Sequence, residues 1–374
     1  MGMITPPRRR RKPAKRDRTS PVDRVIQGVD ALRRGRPVVI HERGGATLVR
    51  AAETMTAGSL ATLRRRPRQT AFLVLTHARA RTLKIRLYTP DVVALKIDSG
   101  FDVERLHAIA DPTDDLAFPL KGPFDTERAK LPAAYAAGVK LAKLAGLLPA
   151  AVVHAARHVP KDAVELSSAD IFTYDDEIVR TLKLVARARV PLEGAERTEL
   201  VSFRPVDGGP EHYAVVINAP VTSKPVLTRL HSECFTGDLL ASLKCDCGAQ
   251  LRGAIELLSK SGGGILLYLA QEGRGIGLIN KLRAYRLQDQ GFDTIDANER
   301  LGFEADERLY GIAARMLALL GYKSVRLLTN NPQKVAALKK AGVKVAGRVR
   351  HAFPDNEHNR AYLRTKADKA GHLL

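Results

Sequence analysis

The chain has 374 residues, with 61 Lys and Arg against 40 Asp and Glu, and so a formal net charge of +21. A hydrophobic fraction of 45% beside 27% charged residues is typical of a folded globular protein and excludes a disordered chain. The length allows two domains, and the basic charge fits either a nucleic-acid partner or an enzyme for a polyanionic small molecule.

Residues 1–20 predict a basic arm outside the folded part of the chain. They contain eight Lys or Arg, one Asp and three Pro, and such a segment cannot build a packed core. We expect residues 1–20 to be a solvated tail.

No apolar run of signal-peptide or membrane-spanning length follows the basic arm. The chain has three cysteines, an odd number that does not favour a disulfide framework. We therefore expect a cytoplasmic protein without a membrane partner.

Residues 21–180 predict a first domain in which helices and strands alternate. The sequence Ser20-Pro21 is a helix-start signal, and apolar residues at helical spacing follow it up to Arg34. The other predicted elements are strands at 38–40, 70–75 and 85–88 and a helix at 131–147.

Residues 181–374 predict a second domain that opens with strands and then alternates strands with helices. Its predicted strands are 199–203, 213–217, 226–230, 264–270, 324–329 and 343–346, and its predicted helices are 238–243, 248–260, 278–290 and 306–320. Asp306 is the predicted cap of the helix at 306–320, and Asn331 with Pro332 starts a further helix. The predicted fold class is therefore α/β (α+β), with two domains, each a mixed sheet with helices packed on it.

All three cysteines lie within fourteen residues, at Cys234, Cys245 and Cys247. Zinc prefers thiolate ligands in tetrahedral geometry, and three thiolates without a fourth cysteine favour a catalytic zinc with one position open for water. Such a water loses a proton near neutral pH and becomes a nucleophile. The alternatives are a closed structural site that uses His231, and three core cysteines without a metal.

Several loops that follow predicted strands carry residues suited to binding anions. They are the segments 229–238, 271–277, 306–308 and 328–334. Each also has a plainer interpretation, as a turn that needs glycine or as a helix cap, and Asp238 in particular is a predicted N-cap. Together, an open zinc, anion-binding loops and several arginines favour hydrolysis of a phosphate-bearing substrate, which they do not identify.

From residue 183 to residue 374 the chain resembles GTP cyclohydrolase II. The motifs that match are Arg229-Leu-His-Ser-Glu-Cys-Phe-Thr-Gly-Asp, Lys244-Cys-Asp-Cys-Gly, Gln271-Glu-Gly-Arg-Gly-Ile-Gly-Leu, Lys281-Leu-Arg-Ala-Tyr and Leu327-Leu-Thr-Asn-Asn-Pro. Several long motifs in order and at consistent spacing make this resemblance specific. It implies zinc-dependent hydrolysis of GTP to a diaminopyrimidine nucleotide, formate and pyrophosphate, which opens riboflavin synthesis, and it implies a homodimer.

The resemblance also implies roles for single residues. The three cysteines would hold a catalytic Zn²⁺ whose activated water attacks C8 of guanine, and Mg²⁺ would accompany the triphosphate of GTP. Arg308 matches the proposed nucleophile that attacks the α-phosphorus, Asp306 the position assigned to proton transfer, and Tyr285 the tyrosine associated with the complete reaction. The positions that match GTP-contacting residues are Arg229, Leu230, His231, Ser232, Glu233, Gln250, Glu272, Gly273, Arg274, Thr294, Thr329 and Lys334.

The first domain resembles 3,4-dihydroxy-2-butanone-4-phosphate synthase over fewer motifs. The matching segments are Gly35-Arg36-Pro37-Val38-Val39, Leu48-Val49-x-Ala51-Ala52-Glu53 and Leu141-Ala-x-Leu-Ala-Gly-Leu147. The chain differs from this family at the motifs that carry its catalytic residues. An acidic Mg²⁺-binding run is replaced by His41-Glu-Arg-Gly-Gly-Ala-Thr47, and a Gly-His-Thr-Glu motif is replaced by Ala133-Ala-Tyr-Ala136. Without those carboxylates and that histidine, enolisation of a sugar phosphate lacks acid and base groups, so we expect an inactive, degenerate domain.

Two other functions stay open. The chain could be a paralogue that acts on another purine nucleotide or forms another product, or a regulatory protein without catalysis that uses the basic arm on nucleic acid. The presence of all three cysteines, Asp306, Arg308 and Tyr285 argues against the second function. We therefore expect GTP as the ligand and no nucleic-acid partner.

Overall fold

The computed structural model describes residues 20–64, 70–161, 163–360, 364, 367, 368 and 371. Within these residues the chain folds into two β-sheets covered by helices, which confirms the predicted α/β (α+β) class. The predicted basic arm lies outside the described residues except for Ser20. The Ser20 hydroxyl accepts a hydrogen bond from the Asp23 amide, and the Asp23 carboxylate accepts one from the Ser20 amide. This capping box starts the first helix where the sequence predicts it.

The first sheet is formed by the amino-terminal half of the chain. Its strands are β1 (Val38–Glu42), β2 (Gly45–Ala51), β3 (Phe72–Thr76), β4 (Val92–Lys96), β5 (Ala150–Ala155) and β6 (Val164–Ser167). Their order is β4-β3-β5-β2-β1-β6, with β1 and β6 parallel and the other neighbours antiparallel. The helices are α1 (Pro21–Arg33), α2 (Ala57–Arg64), α3 (His77–Thr82), α4 (Val103–Ala110), α5 (Ala133–Leu144) and α6 (Ser168–Thr181).

The second sheet begins immediately after α6, beyond the buried Leu182. Its strands are β7 (Lys183–Arg189), β8 (Thr198–Arg204), β9 (His212–Ile217), β10 (Val226–Ser232), β11 (Gly264–Leu269), β12 (Ser324–Leu328) and β13 (Lys344–Val349). Their order is β13-β12-β10-β11-β9-β8-β7, and the four strands from β13 to β11 are parallel. The helices are α7 (Cys247–Lys260), α8 (Gly277–Asp289), α9 (Thr294–Arg300), α10 (Tyr310–Leu319) and α11 (Pro332–Lys340).

Two predicted elements outside the cysteine segment are wrong, as is the helix predicted at 238–243, where Phe235–Leu239 form a π-helical turn. Residues 85–88 are not a strand: Lys84 turns the chain at a φ of 57°, and β3 pairs instead with β4, which begins after Pro90. The helix predicted at 306–320 begins only at Tyr310. Asp306 does not cap it, because its carboxylate accepts hydrogen bonds from the Arg308 amide and guanidinium and holds the chain in an irregular loop.

Two apolar clusters in the described residues contain side chains from both halves of the chain, and one of them includes residues of α8 and α9. This cluster contains Leu73, Ile109 and Leu148 from the first sheet and its helices, and Leu287 and Phe303 from the second half. All of these side chains are buried. Packing of this kind fixes how α8 and α9 lie against α3 and β3. None of the helices in the described part of the chain has the length and apolar character needed to span a membrane.

We expect His212, in β9, to make the fold sensitive to acid. The side chain is 5% exposed, its Nδ1 accepts a hydrogen bond from the Ala270 amide at 3.0 Å, and burial lowers its pKa to about 4. As the pH falls from about 6.5, the pKa of an unperturbed histidine, to about 4, His212 takes up a proton in the unfolded chain but stays neutral in the folded chain. The free energy of unfolding should therefore fall by about 3 kcal/mol over this interval.

Urea titrations at a series of pH values measure this loss. His212→Asn keeps an acceptor near the Ala270 amide and does not titrate, so its stability should depend less on pH. The exposed His158→Asn is the control and should leave the pH dependence unchanged. An unaltered pH dependence in His212→Asn would show that His212 is not held neutral.

Candidate active site

An open cleft lies at the carboxyl ends of the parallel strands β10, β11 and β12. The segments that follow these strands contribute to its walls: 233–234 after β10, 272–274 after β11, and 329–331 with 333–334 after β12. Because the carboxyl ends of parallel strands meet at one edge of a sheet, residues far apart in sequence face one another here. Ligands usually bind at this edge in α/β sheets.

The three cysteines meet at one wall of the cleft. Cys234 follows β10, Cys247 is the first residue of α7, and their Sγ atoms and that of Cys245 lie within 4.8 Å of one another. The chain between them makes a single π-helical turn at Phe235–Leu239, where the sequence predicts a helix at 238–243. A Cβ on Gly237 would lie 2.8 Å from Cys245 Sγ and 3.1 Å from Cys234 Sγ, so only glycine lets the cluster close.

The cluster fits a zinc ion. Two thiolates on a tetrahedral zinc, with Zn–S bonds of about 2.3 Å, are separated by about 3.8 Å. The Sγ atoms of Cys234 and Cys245 are 3.7 Å apart. Hydrogen bonds from the other two cysteines lower the pKa of Cys234, whereas the ionised Cys234 raises the pKa of Cys245 to about 11 and also raises that of Cys247. Three thiolates therefore need a cation between them.

Lys281, on α8, is a site residue that the sequence analysis does not single out. Its Nζ donates hydrogen bonds to Cys234 Sγ at 3.1 Å, to Thr236 Oγ1 at 3.0 Å and to Glu272 at 2.8 Å. Burial opposes its charge, but these acceptors outweigh burial and raise its pKa. Tyr285 lies one helical turn later, with its hydroxyl 3.5 Å from Thr236 Oγ1. The spacing of four residues, which places both side chains on one helix face, was the signal for Lys281.

Asp238 is not the predicted helix cap but the centre of a buried polar group. Its carboxylate accepts hydrogen bonds from His231 Nε2, the Cys234 amide and the Tyr268 hydroxyl, each at 3.0 Å. Because a carboxylate accepts, His231 carries its proton on Nε2. Its buried Nδ1 finds no partner among the described residues and can accept a hydrogen bond from a ligand.

Asp306 and Arg308 also line the cleft and form a two-point ion pair. Arg308 Nε and Nη2 donate to the two carboxylate oxygens at 2.7 and 2.6 Å, and the Tyr310 hydroxyl donates to the same carboxylate at 3.1 Å. Burial raises the pKa of Asp306, but hydrogen bonds and charge from Arg308 outweigh it, and the pKa lies below its usual range. Asp306 is therefore ionised at neutral pH.

The floor of the cleft carries a buried arginine and a buried lysine. Arg229, which is 5% exposed, donates through Nη1 to the Leu328 carbonyl at 3.0 Å and through Nη2 to the Gln250 side chain. Burial lowers the pKa of Arg229 to about 10, which leaves it charged. Lys334 Nζ donates to the Leu230 carbonyl at 3.1 Å. Two buried cations at the base of an open cleft suit an anionic ligand.

The structure brings the predicted site residues together with one exception. The cleft is lined by Arg229, His231, Ser232, Glu233, Cys234, Cys245, Cys247, Gln250, Glu272, Gly273, Arg274, Tyr285, Thr294, Asp306, Arg308, Thr329 and Lys334. Leu230 does not line it, because its side chain is buried in the core and only its carbonyl reaches Lys334. Further lining residues that the sequence analysis does not single out are Lys244, Asp246, Lys281, Gln288, Asn298, Asn330, Gln333 and His351.

The first domain shows no comparable site in its described residues. Across the part of the chain that the structure describes, the cysteine trio is the only group of three or more His, Cys, Asp or Glu side chains placed to hold a metal. His41 pairs with Glu165 at 2.7 Å, and the Glu42 carboxylate accepts a hydrogen bond from the Ala134 amide. These acidic groups serve contacts between neighbouring elements.

Comparisons with known proteins point to one family. A sequence model of GTP cyclohydrolase II matches residues 183–350. The chain is 49% identical over 370 residues to the GTP cyclohydrolase-2 of Azospirillum brasilense, covering 94% of each chain. It is 44% identical over 255 residues to the riboflavin biosynthesis protein RibBA of Chlorobium phaeovibrioides (strain DSM 265 / 1930), covering 64% of this chain and 62% of that protein.

A solved structure of two domains is also similar. RibBX of A. baumannii, a two-domain 3,4-dihydroxy-2-butanone 4-phosphate synthase, matches with 18% sequence identity and a TM-score of 0.31. The match covers 86% of this chain and 99% of that one.

Proposed function

The chain belongs to the GTP cyclohydrolase II family, and we propose that it hydrolyses GTP to a diaminopyrimidine nucleotide, formate and pyrophosphate, the first step of riboflavin biosynthesis. One observation carries the proposal. A three-cysteine cluster that fits zinc and the Asp306–Arg308 pair line the same cleft, above two buried cations. Ring opening and release of pyrophosphate need those two kinds of group in one place.

Cys234, Cys245 and Cys247 would hold the zinc ion. Three protein ligands leave a fourth position open, and a zinc ion so bound lowers the pKa of water to about 7. Around this position, Lys281 and the Tyr285 hydroxyl lie close to Thr236 and would orient the guanine ring so that C8 faces the cysteines. Tyr285 supports the complete reaction, with the deformylated pyrimidine as product. Mg²⁺ would accompany the triphosphate.

Arg308 would act on the α-phosphate. A guanidinium nitrogen would attack the α-phosphorus, the bond to the bridging oxygen would break, and pyrophosphate would leave with the electron pair. Water would then hydrolyse the new P–N bond, which releases the nucleoside monophosphate and regenerates Arg308. The attacking nitrogen must lose a proton, and the ionised Asp306 carboxylate, 2.6 to 2.7 Å from the guanidinium, is placed to accept it. Arg229, Lys334 and the unpartnered Nδ1 of His231 would bind the phosphates and the nucleoside.

We propose that the first domain, residues 21–180, is a scaffold without synthase chemistry. The support is the absence of any second cluster of metal-binding side chains in the described residues, together with the structural contacts made by His41 and Glu42. We further propose a cytoplasmic homodimer. The three cysteines are unpaired, as they are in a reducing compartment.

Two assays on one preparation test the cyclohydrolase proposal and the proposal for the first domain. The purified full chain, supplied with GTP, Mg²⁺ and Zn²⁺, should release formate and pyrophosphate in equal amounts and form the diaminopyrimidine nucleotide. The same preparation, supplied with ribulose 5-phosphate and Mg²⁺, should form no butanone phosphate. Release of pyrophosphate without formate would identify a paralogue with another product. No turnover of GTP beside salt-sensitive binding of RNA would overturn the enzymatic proposal.

A further inference from the structure

The first domain contacts the segment that carries Asp306 and Arg308. We name this segment, residues 301–309, the catalytic loop. It is irregular along its length, between the end of α9 and the start of α10. A loop without its own regular hydrogen bonding depends on neighbouring elements for its conformation.

Lys143 of α5 makes the most specific of these contacts. Its Nζ donates to Glu307 Oε1 at 2.5 Å, and Glu307 stands between the two proposed catalytic residues. The same Oε1 accepts the Glu304 amide at 2.8 Å, and the Glu307 amide donates to the Arg274 carbonyl at 3.1 Å. Glu307 is thus held by its own loop, by the turn after β11 and by the first domain.

The base of the catalytic loop is also packed against the first domain. Gly302 has a φ of 88°, and a Cβ there would lie 2.9 Å from both Pro149 and Thr76. Phe303, 2% exposed, belongs to the apolar cluster shared with the first sheet, and Lys143 Nζ lies 5.7 Å from the centre of its ring. The charged contact and the apolar contact therefore fix two successive parts of one loop.

We propose that Lys143 is a positioning residue for the reaction in the second domain, and that it acts by holding Glu307 so that Asp306 and Arg308 face the α-phosphate. The proposal rests on the proposed function. Lys143 is not among the residues that line the cleft, so we do not expect it to contact GTP. Through Lys143, the first domain would contribute to catalysis in the second domain, although we propose no reaction for the first domain itself.

Removing the ammonium group should lower kcat and leave KM for GTP nearly unchanged. Without Lys143, the Glu307 carboxylate loses its cationic partner and the loop gains alternative conformations, so the Asp306–Arg308 pair faces the phosphorus for a smaller part of the time. Ground-state binding by Arg229 and Lys334, which other strands hold, is not affected. Loss of an interaction that forms only in the transition state lowers kcat.

The test compares Lys143→Met with Lys140→Met in the full chain. Lys140 lies one turn earlier on α5, has a similar exposure and pairs with Asp175 of the first domain at 2.8 Å, so it is a matched control. We expect kcat for GTP to fall about 10-fold in Lys143→Met and less than about 2-fold in Lys140→Met. Lys143→Arg, which keeps the charge, should recover most of the activity.

Hydrogen exchange supplies a readout that does not depend on turnover. Amides of residues 301–309 should exchange about 5-fold faster in Lys143→Met than in Lys140→Met, while amides of β10 and β11 should be unchanged. Equal kcat values and equal exchange in the two variants would overturn the proposal. A wild-type chain without GTP turnover would instead overturn the proposed function, and the exchange comparison would still decide whether Lys143 holds the loop.

Discussion

Replacing Cys245 with serine is expected to abolish formate release and zinc binding together. The hydroxyl of serine does not ionise near neutral pH, so the two remaining thiolates cannot complete a three-ligand zinc site. Changing residues that only support metal ligands already costs 10- to 100-fold, and we expect loss of a ligand to cost about 10³-fold or more in formate release. Zinc content should fall from about one per chain to below about 0.1, as measured by atomic absorption.

The control is Ser261→Ala, a change of one exposed hydroxyl at the end of α7. It should keep both zinc and activity. If Cys245→Ser released formate at the wild-type rate while free of zinc, the cysteines would have no part in the ring-opening step. Circular dichroism must show that the variant is folded, because loss of a bound metal also lowers stability.

Changing Arg308 to lysine is expected to stop pyrophosphate release. Lysine keeps one positive charge, but it cannot bind both oxygens of Asp306 or present a guanidinium nitrogen to the α-phosphorus. Loss of a covalent catalyst typically costs at least about 10³-fold in kcat. The zinc content should stay at the wild-type value, because the Arg308 guanidinium pairs with Asp306, which is not a proposed zinc ligand. Pyrophosphate and formate are followed in the same reaction.

The matched control is Arg326→Lys, which changes an exposed arginine on β12. It should leave both products unaffected. Wild-type pyrophosphate release by Arg308→Lys would refute the role of the guanidinium as nucleophile. It would leave open an electrostatic role, which the double variant with Asp306→Asn could then measure.

Most elements of the fold could be predicted because their signals are local. Helix α7 was expected at 248–260 and occupies Cys247–Lys260, and Asn331 with Pro332 starts α11 as their chemistry predicts. The catalytic loop could not be predicted, because Asp306, Glu307 and Arg308 are also good residues for a helix start. Their partners, the Arg274 carbonyl and Lys143, are distant in sequence, and they decide the conformation.

The candidate site also contains residues whose role could be predicted from the sequence and residues whose role could not. The cysteine cluster was predicted from spacing, since its three residues lie in one short window and the structure brings their sulfur atoms together. The surroundings of Asp238 were missed, because its partners Tyr268 and His231 come from β11 and β10 and meet it only in the folded sheet. Lys281 was missed because its partners Cys234 and Thr236 are distant in sequence and meet it only in the folded chain.

The apolar cluster around Leu73, Leu148, Leu287 and Phe303 has a consequence for unfolding. Leu73 and Leu148 lose their cover if the second half unfolds, and Leu287 and Phe303 lose theirs if the first half unfolds. Their free energies of unfolding are therefore coupled, and the full chain should melt in one transition. A destabilising substitution at Leu73 should then also lower the folded fraction of the second half, even though every residue of the cleft is intact.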